Sequence, residues 1–497
     1  MLRVPLLVAL AASAAAVWFV SAHGRLLYYG DAESHLNIAR RLFDASNPGL
    51  EQLGIPWLPL PHLLIAPFAA IRALWMNGLA GSIAPAACFI GACLFLFAAV
   101  REVFSSIWPA WTAMLIMLLN PNTLYLQSIP MTEPVFAAAL CGLLFFTVRY
   151  RRTLRLPDAA GAGLCALCGT LTRYEAWFLL PFCCLYFLFA GKRGFRAAVV
   201  FGLIAATGPL LWLAYNWWCT GNALYFWNGP GSAKAIQGNA SYPGMHDWSI
   251  AWLYYRTCVR LVIGKPLFWL LFPGLAVALF RRAWWPALLL ALPPVFYVWS
   301  MHSSSGTPIF MPELWPHSWY NTRYGLAALP LAAYCGAAIT RSRWSLAIAA
   351  LALIPWVWRP SGDQVITWKE SQVNSESRRA WTRQSADFLR HERQDGDIVT
   401  ADFDDTIGIF RYAGIDLKEV FHPGDTLAWD AAVQRPDLFL HTAWVLCQRR
   451  DSGPLHRAMA KAIHYQLVKT IIVPGYDPPI DIYKHADPFY QVPRRGQ

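Results

Sequence analysis

Two carboxylates and an imidazole fall within one short stretch, Gly30-Asp31-Ala32-Glu33-Ser34-His35, directly after an apolar run from Val4 to Val20. Acidic groups at the mouth of a membrane helix are costly unless water or a ligand reaches them. A carboxylate there suits proton abstraction from a hydroxyl. Further ionisable residues mark the ends of later apolar runs: Glu133 in Met131-Thr132-Glu133-Pro134, Arg173 and Glu175 in Leu171-Thr172-Arg173-Tyr174-Glu175-Ala176-Trp177, and Arg323 in Asn321-Thr322-Arg323-Tyr324. His62 closes a Pro-rich run, Leu58-Pro59-Leu60-Pro61-His62, and Lys234 follows Gly229-Pro230-Gly231-Ser232-Ala233, a candidate phosphate loop. Acids and cations at one membrane boundary fit a charged lipid head group and a proton-transfer step.

Each of these residues also has a plainer reading. Asp31 suits a helix N-cap, and Glu133 before a proline suits the positive end of a helix dipole. Arg173 and Glu175 could pair with each other, Arg323 could snorkel to the head groups, and His35 and His62 could be interface residues. The run Asp402/Asp404/Asp405 reads as turn chemistry.

The elements that must position these groups are membrane helices. The chain has 497 residues, 56% apolar and only 14% charged, with 25 Trp, whereas soluble domains run nearer a quarter charged. The net charge of +12 does not point to nucleic acid. Residues 1–358 carry 23 Lys/Arg against 10 Asp/Glu, and residues 359–497 carry 18 against 19. In the apolar part the excess falls in short clusters: Arg3, Arg101, Arg149/Arg151/Arg152/Arg155, Lys192/Arg193/Arg196, Arg281/Arg282 and Arg341/Arg343. By the positive-inside rule these loops are cytoplasmic, so the N-terminus is inside and the Asp31 loop outside. The first segment reads as a span in preference to a cleaved signal peptide.

Counting runs of membrane-spanning length predicts an α-helical polytopic protein of about eleven spans. They fall near residues 4–21, 82–100, 107–120, 135–148, two within 159–190, 197–217, two flanking Arg281/Arg282, and two flanking Arg341/Arg343, the last emerging near Trp358. Residues 22–80 form a first outer loop, with an amphipathic stretch Glu33–Phe43 and a surface helix Leu63–Met76. Residues 218–265 form another outer loop. Residues 1–358 are thus one membrane domain, and residues 359–497 a small extracytoplasmic α/β domain. In that domain Glu370–Arg393 reads as a polar helix, Asp397–Ala401 and Asp437–Leu440 as buried strands, and Leu455–Lys469 as an amphipathic helix before a strand Thr470–Val473. The 11 cysteines form no disulfide framework, and no His/Cys spacing suggests zinc.

In order and sidedness these motifs resemble those of the GT-C glycosyltransferases, and within them bacterial relatives of the protein O-mannosyltransferases and lipid A aminoarabinose transferases. The resemblance spans the membrane part: the first-loop Gly30-Asp31-Ala32-Glu33, the Pro-rich segment ending at His62, the second-loop Glu133, the break around Arg173 and Glu175, and Arg323-Tyr324. Thr220-Gly221-Asn222-Ala223-Leu224-Tyr225-Phe226 is similar to the start of the family's large outer loop. Two features depart from the family pattern: Ala32 separates the first-loop acids, and the second loop supplies one acid.

The resemblance implies an inverting glycosyltransferase of the bacterial inner membrane. It would move a hexose or pentose from a polyprenyl-phosphate donor to a hydroxyl of a protein, lipid or glycan at the outer face. Asp31 would be the base, with Glu33 assisting or replacing it. Arg323, Arg173 and Lys234 would hold the donor phosphate, supported by Glu133, Glu175, His62 and His35. A divalent cation stays open, since basic side chains could offset a monophosphate without one. The rival classes are a lipid-linked sugar flippase or transporter, which would carry ionisable residues inside the spans, and a non-catalytic envelope scaffold.

Overall fold

The computed structural model describes residues 2–229, 232–303, 308–350, 353, 365–403, 405–475 and 478–487. Its chain gathers into two compact units. The first comprises Met1–Leu26, Ile55–Pro61 and Ser82–Ser371. The second comprises Leu27–Gly54, His62–Gly81 and Gln372–Gln497, so much of the expected first outer loop packs with the C-terminal segment.

The first unit is helical because its apolar runs are long, and backbone groups in lipid must be satisfied within the segment. Among the described residues five helices are long and apolar enough to cross a membrane: Arg3–Ala22, Ala80–Phe104, Glu133–Thr153, Gly194–Thr220 and Trp284–His302. A sixth candidate is the pair Trp248–Ile263 and Lys265–Phe280, bent by 109° at Gly264, whose φ of 87° suits glycine. The first of this pair lies in the expected 218–265 loop, which is therefore partly helical. Ile107–Leu118 and Glu175–Phe189 are shorter apolar helices, and Leu156–Thr170 and Leu329–Ile339 fill the remaining places in the predicted order. The expected last span falls largely on residues 351, 352 and 354–364, outside the described residues.

The second unit contains a five-stranded sheet: β1 (Val399–Ala401), β2 (Val420–Phe421), β3 (Trp444–Gln448), β4 (Tyr465–Ile471) and β5 (Ile480–His485), in the order β2-β1-β3-β5-β4. β1 runs parallel to β2 and β3, whereas β5 is antiparallel to β3 and β4. Every residue of β3 is buried, as expected for a strand covered on both faces. On one side Trp429, Leu440, Val445, Cys447, Leu455 and Met459 form a core.

The expected small α/β domain is present, with three local differences. Asp437–Leu440 is not a strand. Pro436 starts a short helix to Phe439, and only Leu440 of that apolar run is buried, so nothing rewards extension. The expected helix Leu455–Lys469 stops at Met459, and Tyr465 onward pairs with β5 instead. The polar helix breaks at Ser375 into Ile366–Asn374 and Glu376–Glu392.

Candidate functional site

In the first unit, Glu133, Arg173, Glu175 and Arg323 meet. Glu133 opens the helix Glu133–Thr153. Arg173 sits in the turn between Leu156–Thr170 and Glu175–Phe189, with its backbone N–H bonded to the Gly169 carbonyl at 2.9 Å. Arg323 lies on a 3₁₀ turn, Thr322–Ala328, entered through Asn321 in the left-handed conformation. One carboxylate oxygen of Glu133, Oε1, accepts from Arg173 Nη1 at 3.1 Å and from Arg323 Nε at 3.0 Å. Arg173 Nε donates to Glu175 at 2.5 Å, its Nη1 to Thr132 Oγ1 at 2.7 Å, and its Nη2 to the Tyr297 hydroxyl at 2.8 Å. Tyr297 in turn donates to Glu175. Both guanidiniums lie 5.2 Å from the ring centre of Tyr324, which itself stacks on Tyr297 at 4.8 Å. Two cations over one ring are a favourable cation–π arrangement that fixes their spacing.

These groups line a cavity of about 50 Å³, room for roughly three to five waters at about 10–15 Å³ each. Its lining combines apolar residues, Met117, Leu126, Phe136, Leu140, Leu326 and Leu329, with the charged Glu133, Arg173, Glu175 and Arg323. Arg323 and Glu175 are buried at 8% and 4% exposure. The second carboxylate oxygen of Glu133 is buried and has no hydrogen-bond partner among the described residues. Such an atom costs free energy unless a ligand or water reaches it.

Sequence reasoning missed two members of this cluster. Tyr297 stands inside the apolar helix Trp284–His302, where nothing marks one tyrosine among 20. Glu370 looked like one acid among many in a polar helix, yet it is 2% exposed and lies 3.8 Å from Arg323 Nη1. Its place two residues after a buried Trp368 was the available signal. Lys234 does not line the cavity. It lies on the exposed helix Ala233–Gln237 with its ammonium 6.0 Å from the Trp227 ring, and Pro230 and Gly231 of the Gly-rich run lie outside the described residues.

In the second unit, Asp31, Glu33, His35 and His62 share one neighbourhood. The helix Gly30–Arg41 has Tyr29 as its N-cap, so Asp31 stands in the first turn and is not the cap. Glu33 turns inward and takes a two-pronged ion pair from Arg411, Nε to Oε1 and Nη2 to Oε2, each at 2.9 Å. Asn37 adds a bond to Oε1 at 3.0 Å and accepts from Trp75 Nε1 at 2.9 Å. Gly408 packs against this carboxylate, and a Cβ there would stand 3.2 Å from its Cδ. Burial raises the Glu33 pKa, but the Arg411 guanidinium outweighs it, so the carboxyl sits below its ordinary range. A carboxylate so held is a poor proton acceptor. His35 Nδ1 and His62 Nε2 are hydrogen-bonded at 2.8 Å. Burial, with His35 and Arg41 nearby, pushes the His62 pKa well below 6.5. Of the expected acidic turn after β1, Asp405 pairs with Arg450 at 3.4 Å and Asp404 lies outside the described residues.

Among the described residues no three His, Cys, Asp or Glu side chains are grouped as ligands for a metal ion.

No family model and no curated protein matches the chain. Solved structures do. ArnT, the lipid A aminoarabinose transferase, from Cupriavidus metallidurans in the apo state superposes with a TM-score of 0.61 at 14% identity, over 97% of this chain and 98% of that one. The same protein bound to undecaprenyl phosphate gives 0.60 at 14% identity, over 98% and 99%. Archaeal AglB from Archaeoglobus fulgidus, in complex with an inhibitory peptide and a dolichol-phosphate, gives 0.47 at 12% identity, over 98% and 75%. Near-complete coverage of both chains in the ArnT comparison establishes a shared architecture, and the chain has the fold of ArnT.

Proposed function

We propose that the protein is an integral membrane glycosyltransferase that takes its sugar from a polyprenyl-phosphate-linked donor and passes it to an acceptor hydroxyl. The observation that carries this reading is the cavity lined both by apolar residues and by Arg173, Arg323 and Tyr324, in a fold shared with a protein bound to undecaprenyl phosphate. Apolar lining suits the approach of a lipid carrier, and a buried guanidinium suits its phosphate, whose charge grows as the glycosidic bond breaks.

Arg323 is the phosphate ligand in this reading. Arg173 organises the cluster, since its nitrogens already serve Glu175, Thr132, Glu133 and Tyr297. Asp31 is the general base, taking the acceptor proton as the hydroxyl attacks the anomeric carbon. General-base assistance of this kind contributes about 10²–10⁴-fold. One displacement inverts the anomeric configuration. Glu33 is structural, its carboxylate committed to Arg411.

The test is transfer from a radiolabelled undecaprenyl-phosphate sugar by the purified protein in proteoliposomes, with release of undecaprenyl phosphate and a new glycosidic bond as readouts. Movement of the lipid between leaflets without a new bond overturns the reading in favour of a transporter.

A further inference from the structure

We propose that Glu370 is a positioning residue that sets Arg323 for the donor phosphate, an inference that rests on the function proposed above. The segment Ile366–Ser371 belongs to the first unit and is fastened to it at several points. The Thr367 backbone N–H donates to Asn122 Oδ1 at 2.9 Å, and Ser371 Oγ meets the Tyr125 hydroxyl at 2.9 Å. Trp368 stacks edge-on against Tyr125 and receives the Arg25 guanidinium 4.2 Å from its ring centre. These bonds deliver the Glu370 carboxylate to the start of the Thr322–Ala328 turn.

There the carboxylate fills a backbone nest. Asn321 is left-handed, with φ 55° and ψ 25°, so its N–H and that of Thr322 converge. Successive N–H groups in this arrangement form a concavity for an anion. Glu370 Oε1 accepts from Asn321 N at 3.0 Å, and Oε2 accepts from Thr322 N at 2.8 Å and from the Thr322 hydroxyl. The other side of the turn is closed as well. Cys258 Sγ donates to the Thr322 carbonyl at 2.9 Å, and a Cβ on Gly325 would strike Val262 and Cys258.

The backbone beneath Arg323 is therefore held by Glu370, and its guanidinium lies between two carboxylates, Glu133 at 3.0 Å and Glu370 at 3.8 Å. Glu370 does not line the cavity. Its effect reaches the donor only through Arg323.

A double-mutant cycle read by equilibrium binding of undecaprenyl phosphate to the detergent-solubilised protein tests this. Glu370→Gln keeps the side chain's size, removes its charge, and turns one acceptor into a donor facing the nest. It is expected to weaken binding roughly tenfold, the scale of one impaired charge-assisted hydrogen bond, and Glu370→Asp to recover part of the loss. Arg323→Ala is expected to weaken binding further, and adding Glu370→Gln to it to change nothing more, because the two act as one unit. Multiplicative losses, or wild-type binding by Glu370→Gln, overturn the inference. If Arg323→Ala itself binds normally, the phosphate reading fails. If Arg323→Ala is impaired while Glu370→Gln is not, only the positioning role fails. Should Glu370→Gln not fold, Thr322→Val takes its place. It keeps the shape, removes one bond to Glu370, and must likewise be silent in the Arg323→Ala background, or the inference is overturned.

Discussion

Glu33→Gln separates a structural carboxylate from a catalytic one. Glu33 and Arg411 side chains are 10% and 7% exposed, so the substitution leaves a buried guanidinium facing a neutral amide. Removing one partner of a buried pair costs about 3–5 kcal/mol. For a unit of roughly 150–250 residues each kcal/mol moves Tm by about 2–4 °C. The expected loss is therefore about 6–20 °C in the melting of detergent-solubilised protein. Replacing both partners, Glu33→Met with Arg411→Met, removes the uncompensated charge and is expected to recover most of that loss. The pH dependence has a definite sign. The folded pKa of Glu33 lies below its ordinary 4.5, so its stabilisation is complete above that value and is lost as pH falls through the folded pKa. Wild type then loses stability in acid more steeply than Glu33→Gln. Transfer per folded molecule, assayed well below both melting temperatures, is expected to stay within a few-fold of wild type. An unchanged Tm together with a loss of turnover above about 10²-fold would refute this reasoning and make Glu33 a catalytic group.

Asp31→Asn is expected to abolish transfer while leaving the protein level and Tm unchanged, measured by product formation and by melting; near-wild-type turnover would remove Asp31 from the mechanism. Tyr297→Phe strips a hydroxyl that accepts from Arg173 and donates to Glu175, and is expected to cost about 1–3 kcal/mol of stability, read by denaturant unfolding. His62 is held neutral by burial, its pKa well below 6.5, so its contribution is present above that pH and declines as pH falls below it. His62→Gln should flatten the stability profile between about pH 5 and 6.5, and an unaltered profile would show that another group titrates there.

What was legible in the chain divides by range. Glu133, Arg173, Glu175 and Arg323 each stand where an apolar run begins or ends, and counting runs placed all four on one side of the membrane. In the structure all four line a single cavity. Asp31 was the preferred base, yet Glu33 could still assist or replace it, because two acids two residues apart do not tell which carboxylate turns inward. Helix geometry separates them: Glu33 shares a face with Asn37, one turn on, and that face is buried with Trp75. Its partner Arg411 is 378 positions away, beyond the reach of any local pattern. The misread strand Asp437–Leu440 shows the same limit from the other side. Three of its four residues joined a helix because Pro436 favours a helix start, and the sheet gained its central strand from Trp444–Gln448 instead. Glu370 combines both limits. Its local setting is a polar helix, and its role depends on a turn nearly 50 residues earlier, whose left-handed Asn321 creates the nest that a carboxylate fills. A buried acid is affordable there because two backbone donors, a hydroxyl and a guanidinium converge on it. That convergence of donors, more than the acid itself, is the ground for the positioning role proposed for Glu370.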